Sequence, residues 1–572
     1  MKINDVARIT GLTQKAIRLY EDKGLINVSR DINGYRNYSD NDVEALKQIK
    51  LFRSVGISVS DIKLYFFGVV TMDELVDKRK SEILKESGKN SEKYHICESI
   101  SNSSTYEDIK GLGRFTESEK INSRTYGALS VGIDIGTTTI SAVVYDIDNG
   151  NQLEAYSIPH SSYALTGTYS EQSVGVIMEK SEKLLYHILS SYKKIVSIGI
   201  SGQMHGIVYI NSEGNAVSNL INWQDKRADI VLDSGKTTCQ TIFDITGEKI
   251  STGYGIATHY HNMLNNKVPR DAVSLCSIMD YFAMSICGLK RPVTHTSVGA
   301  SLGLFDVKKG SFKKDKLSLL GIDECFLPDV TEKSLIIGKC KNIPVAIPLG
   351  DNQASFLGAV SDNTDSMLVN MGTGSQVSAV SDYTVLKGED VEIRPFIEGK
   401  YLICGSALCG GYAYSMLEEF FRSYAISAGM EDTSQYKVIN QLALSAYERG
   451  EKGLLVDTSF SGKRSNPDIR GSVKMIDRQN FTPSALVLGV LKGMCNELYE
   501  LYKLFPVKKA KVVSSGGAVR RVRVLKNLIE DCFGMPVSVN TVKEEAGTGV
   551  ALFSALATKK IKYNNGFSEY IK

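Results

Sequence analysis

Two similar strand–turn–strand units, far apart in the chain, constrain the fold more than any other feature. The first, at 129–146, turns on Gly-Thr-Thr-Thr, and the second, at 367–381, turns on Gly-Thr-Gly-Ser. The first glycines of the two turns, Gly136 and Gly372, lie 236 residues apart, far beyond the period of short-repeat proteins. We therefore predict two related α/β domains that face each other across a cleft.

Composition supports a multidomain globular protein outside the membrane. The chain has 572 residues, of which 42% are hydrophobic and 23% charged, so it is neither disordered nor fibrous. No apolar run reaches the roughly 20 residues that a membrane span needs, and the N-terminal MKINDVARIT lacks the apolar region of a signal peptide. The ten cysteines form no CxxC pair, which is typical of reduced thiols. We expect a cytoplasmic protein with no membrane partner.

The first 70 residues predict a small helical domain with a different texture. Eleven Lys and Arg against eight Asp and Glu give this segment a local charge of +3. Ser39 with Asp42 and Ser58 with Asp61 have the spacing of helix capping boxes. A hairpin is predicted over 30–38, and the second helix is expected to direct Lys15, Arg18 and Tyr20 outward.

The segment 71–128 is predicted to connect this domain to the rest. One more helix is expected from Thr71 to about Glu86, with Glu74 in a capping position. The stretch 86–124 is polar and rich in serine, so we interpret it as a linker.

Glycine clusters after predicted strands indicate nucleotide binding. Asp134 precedes the first turn, where backbone N–H groups and hydroxyls can bind phosphate oxygens and a carboxylate can hold hydrated Mg²⁺. The second turn, at 372–375, offers the same donors. Ser-Ser-Gly-Gly-Ala-Val at 514–519 lies between a strand and a helix, and Glu-Ala-Gly-Thr-Gly-Val-Ala at 545–551 is expected just before the last helix.

Two residues allow either a catalytic or a structural reading. Asp351 follows an apolar strand, and it either accepts a proton from an attacking hydroxyl or caps a helix that begins at Asn352. His205 ends another strand in Ser-Gly-Gln-Met-His-Gly, and it either binds a polyhydroxyl substrate or is a buried, satisfied histidine. Local sequence leaves both alternatives open.

Seven motifs in order over 129–557 resemble the FGGY carbohydrate kinases, which belong to the actin-like ATPase superfamily. They are GIDIGTTT, SGQMHG, NWQDKRAD, THTSVGASLGLFD, GDNQASFLG, NMGTGSQ and SSGGAVR. The resemblance implies two actin-like, ribonuclease H-like lobes of α/β class around a cleft, in a kinase that uses ATP and Mg²⁺. It also implies hinge closure that expels water before transfer.

The same resemblance assigns roles to individual residues. It makes Asp351 the base, and Asp134 the contact to the Mg²⁺–ATP phosphates. The sugar site would hold Met204, His205 and Asn352, with Gln172 or Trp223 nearby. The phosphate and ATP sites would be formed by Gly136, Thr137, Thr138, Gly372, Thr373, Gly410, Gly411, Gly516 and Gly517.

The substrate is expected to be a ketose. SGQMHG is shared by xylulose and sedoheptulose kinases, whereas YLICGSALCGG and LLVDTSFSGKRSNPDIRGS look more like the sedoheptulokinases. We therefore expect phosphorylation of D-sedoheptulose to its 7-phosphate, with D-xylulose or another ketose or polyol as the alternative. The arginine that glycerol-type relatives often carry after the first turn is missing, and Ser141 lies in that region, which weakens a glycerol interpretation.

Residues 1–70 resemble the MerR-type winged helix-turn-helix regulators through VARITGLTQKAIRLYEDKGLI and NGYRNY. The resemblance implies double-stranded DNA as partner, a homodimer, and no metal sensing. The contacts would come from Lys15, Arg18 and Tyr20 on the second helix and from Tyr35 and Arg36 on the wing. The proline that usually precedes the wing is missing.

The domain boundaries that follow are 1–70 for DNA binding, 71–128 for the connection, 129–360 for the sugar- and phosphate-binding lobe and 366–557 for the ATP-binding lobe. Two functions remain open. The chain is either a working ketose kinase joined to a transcriptional regulator, or a catalytically silent sugar sensor. Asp351, Asp134 and the glycine turns are all present, which favours the enzyme. A further alternative is that the N-terminal domain no longer binds DNA.

Overall fold

The computed structural model describes residues 1–26, 28–30, 36–87, 92–101, 126–372, 374–384, 388, 390–463, 466 and 468–571. Contacts divide the chain into two compact units, residues 1–125 with 424–434, and residues 126–423 with 435–572. Each is described by itself. Within the described ranges, no helix is long and apolar enough to span a membrane.

The first unit is helical with one small hairpin. Its elements are α1 (Ile3–Thr10), α2 (Gln14–Asp22), β1 (Ser29–Arg30), β2 (Arg36–Asn37), α3 (Asp40–Ser54), α4 (Val59–Phe66), α5 (Met72–Ser87) and α6 (Glu92–Ser101). The antiparallel pair β1–β2 confirms the predicted hairpin, although 31–35 lie outside the described residues.

The predicted helix starts of this unit are confirmed in detail. Ser39 and Asp42 form a reciprocal capping box at α3, and the Ser58 hydroxyl accepts from the Asp61 backbone N–H at α4. Thr71 and Glu74 exchange the same pair of hydrogen bonds at α5, at 3.0 and 3.2 Å. The reciprocal boxes at α3 and α5 and the one-way cap at α4 satisfy backbone donors that a helix N-terminus otherwise leaves unpaired.

The linker prediction for 86–124 is wrong in part. Residues 92–101 form helix α6, and three of its side chains, Ile96, Cys97 and Ile100, are buried. The helix was hidden because a ten-residue amphipathic stretch within a polar segment gives a weak periodic signal. Residues 102–125 lie outside the described part of the chain.

The second unit contains two α/β lobes. The elements of its first lobe are β3 (Leu129–Ile135), β4 (Thr139–Asp146), β5 (Asn151–Pro159), β6 (Tyr163–Leu165), β7 (Glu171–Gln172), α7 (Val174–Ser191), β8 (Ile195–Gly202), β9 (Val208–Ile210), β10 (Leu220–Ile221), α8 (Thr238–Thr246), α9 (Gly255–Leu264), β11 (Ser274–Cys276), α10 (Ile278–Ile286), β12 (Val293–His295), α11 (Thr296–Gly299), β13 (Phe305–Asp306), β14 (Ser311–Phe312), α12 (Lys314–Leu319), β15 (Asp329–Thr331), β16 (Ile336–Cys340), β17 (Ile343–Ala346), β18 (Leu349–Gly350) and α13 (Asp351–Ala359).

The elements of its second lobe are β19 (Ser366–Met371), β20 (Ser375–Ser381), β21 (Val391–Pro395), β22 (Tyr401–Ala407), α14 (Gly410–Ser427), α15 (Tyr436–Glu448), β23 (Leu455–Asp457), β24 (Ser472–Lys474), α16 (Pro483–Lys503), β25 (Lys511–Ser515), α17 (Gly517–Arg521), α18 (Val524–Phe533), β26 (Val537–Val539) and α19 (Glu545–Ala557).

The main sheets of the two lobes share a five-stranded core, β5-β4-β3-β8-β17 in the first and β22-β20-β19-β25-β26 in the second, and a further strand, β16 or β21, lies at opposite edges of the two sheets. The first has the strand order β16-β17-β8-β3-β4-β5, and the second has β21-β22-β20-β19-β25-β26. In each sheet the opening strand pairs antiparallel with the next strand and parallel with a later one, β8 in the first lobe and β25 in the second. The duplication predicted from the two glycine turns is thus present in the topology. The carboxyl ends of β3 and β19 carry those turns.

The last helix packs on the first lobe through glycines. A Cβ on Gly132 of β3 would lie 1.8 Å from the Gly547 carbonyl oxygen, and a Cβ on Gly549 would lie 1.8 Å from the Ala354 carbonyl oxygen in α13. The expectation that 545–551 forms a turn before the last helix is therefore wrong. The segment opens α19, and its glycines serve close backbone packing rather than phosphate binding.

Candidate active site

Asp134, at the end of β3, is a buried carboxylate with an unsatisfied oxygen. Its Oδ1 accepts no hydrogen bond from any described residue. Burial first, and then the negative charges of Asp351 and Glu544, raise the pKa of Asp134 to about 7, against a smaller opposing effect of Ser201. Such a carboxylate is suited to bind a cation that neutralises it.

The residues present fit Mg²⁺ held jointly with phosphate. Among the described side chains, no three from His, Cys, Asp and Glu form a metal-binding group. Mg²⁺ in nucleotide sites is usually held by one or two carboxylates and by phosphate and water oxygens. The unsatisfied Asp134 oxygen meets that requirement, with Asp351 as a neighbouring charge.

The first glycine turn is fixed from behind by side chains. The Gly136 N–H donates to Thr139 O at 2.9 Å, and Gly136 O accepts from His160 Nε2 at 3.1 Å. Burial lowers the pKa of His160, so the ring is neutral, and Nε2 carries the proton. Thr138 stays exposed on the turn, which leaves its hydroxyl available to a phosphate.

Gln172 belongs to this support and not to a cavity wall. It is fully buried, its Nε2 donates to Thr137 O at 2.7 Å, and its Oε1 accepts from Gln203 Nε2 at 2.9 Å. The sequence expectation that Gln172 contacts the sugar is therefore corrected to a structural role. Gln203 lies inside the SGQMHG motif, which was the available signal for it, whereas nothing in the sequence pointed to His160.

Asp351 is the first residue of α13 but does not cap it. Gly350 occupies the cap position, and no side chain caps the helix. Asn352 Nδ2 donates to Asp351 Oδ1 at 2.8 Å and lies 3.7 Å from Met204 Sδ. Burial raises the pKa of Asp351, while the charge of Arg394 and the contacts with Asn352 oppose that shift. The capping alternative is thereby excluded, and Asp351 is oriented beside the SGQMHG loop.

His205 is held in an unusual backbone conformation. Its φ of 72° lies in the left-handed region, which non-glycine residues rarely adopt outside functional sites. Nδ1 lies 2.7 Å from Ser301 O, so Nδ1 carries the proton there. The ring stacks on Tyr254 with centroids 4.3 Å apart. This geometry presents the ring edge at a cavity rather than in a core.

Two adjoining cavities, of about 340 and 530 Å³, lie beside these residues. Both are lined by His205, Tyr254, Lys249, Glu392 and Arg394. Met204 lines the smaller cavity and Trp223 the larger one. Mixed polar and aromatic walls of this volume suit a small polyhydroxyl ligand.

Trp223 is positioned by a buried ion-pair network in the NWQDKRAD motif. Its Nε1 donates to Thr137 Oγ1 at 2.9 Å, which links the cavity wall to the phosphate turn. Arg227 is paired with Asp225 at 2.7 Å and with Glu171 at 2.7 Å, and all three are largely shielded from water. The network fixes the loop that carries Trp223.

Arg394 and Glu392 come from β21 of the second lobe, and no sequence motif predicted them as site residues. Arg394 Nε and Nη2 donate to Glu392 Oε2 at 3.2 and 2.8 Å. The strand lies beside the first lobe because Gln353 Nε2 donates to Pro395 O at 2.8 Å. The cavity is therefore lined by both lobes.

The glycine turns of the second lobe meet at the end of β19. Gly411 N–H donates to Gly372 O at 3.0 Å. A Cβ on Gly410 would lie 2.0 Å from Ser375 Oγ, and one on Gly516, whose φ is 93°, would lie 2.4 Å from Met371 O. Gly517 begins α17. Three turns far apart in sequence thus meet at the end of β19, while Thr373 lies outside the described residues.

The candidate DNA-contacting residues of the first unit divide. Lys15 and Arg18 are exposed on α2, whereas Tyr20 is only 2% exposed. The expectation that Tyr20 faces outward is wrong, because positions 16, 17 and 20 share the buried face of the helix. Arg36 is paired with Glu21 at 2.5 Å, and Tyr35 lies outside the described part of the chain.

Comparison with known protein families assigns most of the chain. The FGGY family of carbohydrate kinases matches through its N-terminal domain at residues 129–368 and through its C-terminal domain at residues 367–558. The MerR HTH family regulatory protein model matches residues 1–66.

The chain is similar to curated kinases over nearly their whole length. It is 26% identical to a sedoheptulokinase of Mus musculus over 458 residues, covering 72% of this chain and 94% of that one. It is 25% identical to a xylulose kinase of Staphylococcus xylosus over 469 residues, covering 77% and 93%. The structure resembles a ligand-bound xylulose kinase from Lactobacillus acidophilus, with a TM-score of 0.64, 20% identity, and coverage of 77% and 91%. The fold of the second unit is therefore the actin-like kinase fold.

Proposed function

The chain belongs to the FGGY family of carbohydrate kinases, fused to a MerR-type helix-turn-helix domain, and from this premise we propose that it phosphorylates a ketose, D-sedoheptulose in the first instance, at the expense of ATP. The product is sedoheptulose 7-phosphate. The observation that carries the proposal is the position of Asp351. Its carboxylate does not cap α13, and Asn352 contacts both Asp351 and Met204, which lines the smaller cavity.

In the proposed reaction Asp351 acts as general base. A terminal hydroxyl of the sugar gives its proton to the Asp351 carboxylate as its oxygen forms a bond to the γ-phosphorus. The bond between that phosphorus and the β–γ bridging oxygen breaks, and ADP leaves with the electron pair. Because burial raises the pKa of Asp351, the carboxylate is a stronger base than an exposed aspartate.

The phosphates are proposed to lie between the glycine turns. Gly136, Thr137 and Thr138 would bind them from the first lobe, and Gly372, Gly410 and Gly516 would line the nucleotide from the second. The expected contact of Thr373, beside Gly372, remains a prediction, as does that of Gly411 and Gly517. Mg²⁺, when bound, supplies charge neutralisation to the phosphates, and Asp134 would hold it.

The choice of sugar is proposed on sequence motifs and cavity character. Sedoheptulokinases and xylulose kinases are similar to this chain to nearly the same degree. YLICGSALCGG and LLVDTSFSGKRSNPDIRGS favour the former. We infer that Met204, His205, Asn352 and Trp223 contact the ketose, with His205 oriented by Ser301 and Tyr254.

The test is ADP release by the full chain against sedoheptulose, xylulose, ribulose, fructose, gluconate and glycerol, with Asp351→Asn in parallel. We expect turnover on one ketose, with sedoheptulose as the first expectation and xylulose as the second. Turnover should fall about 10²–10⁴-fold in the variant, because general-base catalysis is lost. Calorimetric sugar binding by the variant is expected to persist. Turnover that survives the substitution would contradict the role of Asp351.

Absence of turnover on every sugar, with sugar binding retained, would favour the alternative of a catalytically silent sugar sensor. The helix-turn-helix match over residues 1–66 is the observation that supports this second candidate.

We propose that residues 1–70 bind double-stranded DNA as part of a homodimer, with Lys15 and Arg18 of α2 facing the duplex and Arg36 and Tyr35 on the wing. Residues 71–128 would connect this domain to the lobes at 129–360 and 366–557.

A further inference from the structure

Arg394 has one donor that no described residue satisfies. Its side chain is 12% exposed, and Nε and Nη2 are both bound to Glu392. Nη1 is buried, with no hydrogen-bond partner among the described residues. A buried donor without an acceptor is costly, and the cost is greater for a charged group. Such a group needs an acceptor that arrives from outside the chain.

The position of Arg394 limits what that acceptor can be. The residue lines both cavities together with His205 and Tyr254. The next residue, Pro395, accepts the hydrogen bond from Gln353 in the first turn of α13, the helix that Asp351 begins. The charge of Arg394 accordingly acts on Asp351 and opposes the rise that burial causes in its pKa. Arg394 therefore lies between the sugar cavity and the reacting end of the site.

The pairing with Glu392 determines the chemical class of the acceptor. Glu392 neutralises the guanidinium through two of its nitrogens, so Nη1 offers a directed hydrogen bond and not an uncompensated positive charge. A second ion pair on the smaller cavity, Lys313 with Glu248 at 2.7 Å, is balanced in the same way. The wall also carries Lys249, so the preference for a neutral hydroxyl or carbonyl oxygen rests on the pairing of Arg394 with Glu392, which leaves Nη1 a hydrogen bond to donate and no uncompensated charge to neutralise.

We propose that Arg394 is a sugar-binding and specificity-determining residue, which donates from Nη1 to an oxygen of a neutral ketose and so makes the second lobe part of the sugar site. The inference rests on the proposed function, since it names a residue that selects the same substrate. Glu392 acts as a positioning residue that holds the guanidinium plane.

The test compares sugar binding by calorimetry in Asp351→Asn and in Asp351→Asn with Arg394→Met, using each sugar of the panel and full-length protein. Since a hydrogen bond to a charged group is replaced by a methyl, we expect ketose affinity to fall about 10- to 100-fold. Affinity for an ATP analogue is expected to stay unchanged. With Asp351 intact, Arg394→Met should raise the KM for the ketose by a similar factor.

Arg449→Met is the matched control. Arg449 also lies on the second lobe, and its Nε and Nη2 both bind one carboxylate oxygen of Glu451, two residues away, at 2.8 and 2.6 Å. It lines neither cavity, so its loss should leave sugar affinity unchanged. Arg394→Lys, which keeps the charge but loses the fork, should weaken the ketose less than Arg394→Met and serves if the methionine variant does not fold.

The outcomes separate this inference from the proposed function. Unchanged ketose affinity in Arg394→Met overturns the inference while wild-type turnover upholds the kinase. Absent turnover in wild type, with ketose binding that Arg394→Met weakens, overturns the kinase but supports the inference. If gluconate binds more tightly than any ketose and Arg394→Met abolishes that preference, Arg394 binds a carboxylate, and the inference is overturned. Absence of any sugar binding overturns both.

Discussion

At the scale of single residues, the site is organised by two carboxylates whose pKa values are raised, Asp134 and Asp351. Burial raises the pKa of Asp134, at the end of β3, and of Asp351, at the start of α13, and the charge of Arg394 opposes the shift of Asp351. Ionisation of these carboxylates in the folded protein lowers its free energy of unfolding, while it keeps them available to bind ligands. Stability should therefore depend on pH.

We expect Asp134→Asn to stabilise the protein without ligands, increasingly so as the pH rises. The folded-state pKa of about 7 lies above the ordinary 3.8, so wild-type stability is lost as the pH rises between these values. At about 1.36 kcal/mol per pKa unit, the upper bound of the gain at pH 8 is about 4 kcal/mol. Thermal unfolding at pH 4, 6 and 8 measures it.

The same experiment with Mg²⁺ and an ATP analogue provides the control. Bound ligand should stabilise wild type more than Asp134→Asn at pH 8, so the difference in unfolding temperature between the two proteins should become smaller. A gap that does not change from pH 4 to pH 8 would mean that the Asp134 carboxylate is not the group that titrates.

At the scale of elements, the contact between α13 and α19 is the most demanding. The helices approach so closely that a single methyl group on Gly549 would lie 1.8 Å from the Ala354 carbonyl oxygen. No side-chain rotation can relieve a clash with backbone. The two helices would have to separate, and the packing of α19 on β3 would be lost with them.

We expect Gly549→Ala to destabilise the second unit by about 3 kcal/mol or more, as severe overpacking does. Gly175→Ala is the matched control, because Gly175 is also a helical glycine and its added Cβ would have only an ordinary contact at 3.8 Å. There the change should be neutral or stabilising by up to about 1 kcal/mol. Urea unfolding of both variants compares them, and equal midpoints would contradict the packing argument.

Elements that depend on local rules were predictable from sequence, and those that depend on distant partners were not. The capping box at Ser39, the helix cap at Ser58 and the two glycine turns follow from spacing within a few residues, and the structure contains them. The glycines at 547 and 549 were read as a turn, because sequence does not reveal a helix that approaches another backbone. Arg394 was missed because its strand, β21, belongs to the sheet of the second lobe and lies at the site only where the two lobes meet.

The same limit explains the misplaced residues. Tyr20 was expected to face outward with Lys15 and Arg18, whereas the helix face that it shares with Ile17 decides its burial. Gln172 lies in a short strand whose register places it behind the phosphate turn. A short stretch of sequence does not reveal the register of a strand or which face of a helix is buried.

At the scale of the whole molecule, the fusion joins a site that binds sugar to a domain of a DNA-binding family. Any free-energy coupling between two such sites is reciprocal, so a ligand that changes DNA affinity must have its own affinity changed by the same factor. The fusion itself motivates the hypothesis that the two sites are coupled.

We expect ketose together with an ATP analogue to change the affinity of the full chain for a duplex selected from a random library. Coupling free energies between sites typically correspond to about 5- to 150-fold. Fluorescence anisotropy with and without the two ligands measures the change, and calorimetry of the ketose with and without DNA must give the same factor. Unchanged affinity would mean that the two functions are only tethered.

Arg18→Ala tests whether the DNA affinity in that experiment comes from α2. Loss of one phosphate contact should weaken binding at low salt and reduce the slope of log affinity against log salt by about 1. Lys526→Ala, which removes an exposed cation on α18 of the second unit, should leave the slope unchanged.

The packing of α19 on β3 also fixes the order in which the protein can be finished during synthesis. The first lobe of the kinase begins at residue 129, yet the face of its sheet is covered by α19, which begins at Glu545 and is synthesised only after every strand of the second lobe. A translation product interrupted before α19 would therefore contain the first lobe without the helix that covers its sheet.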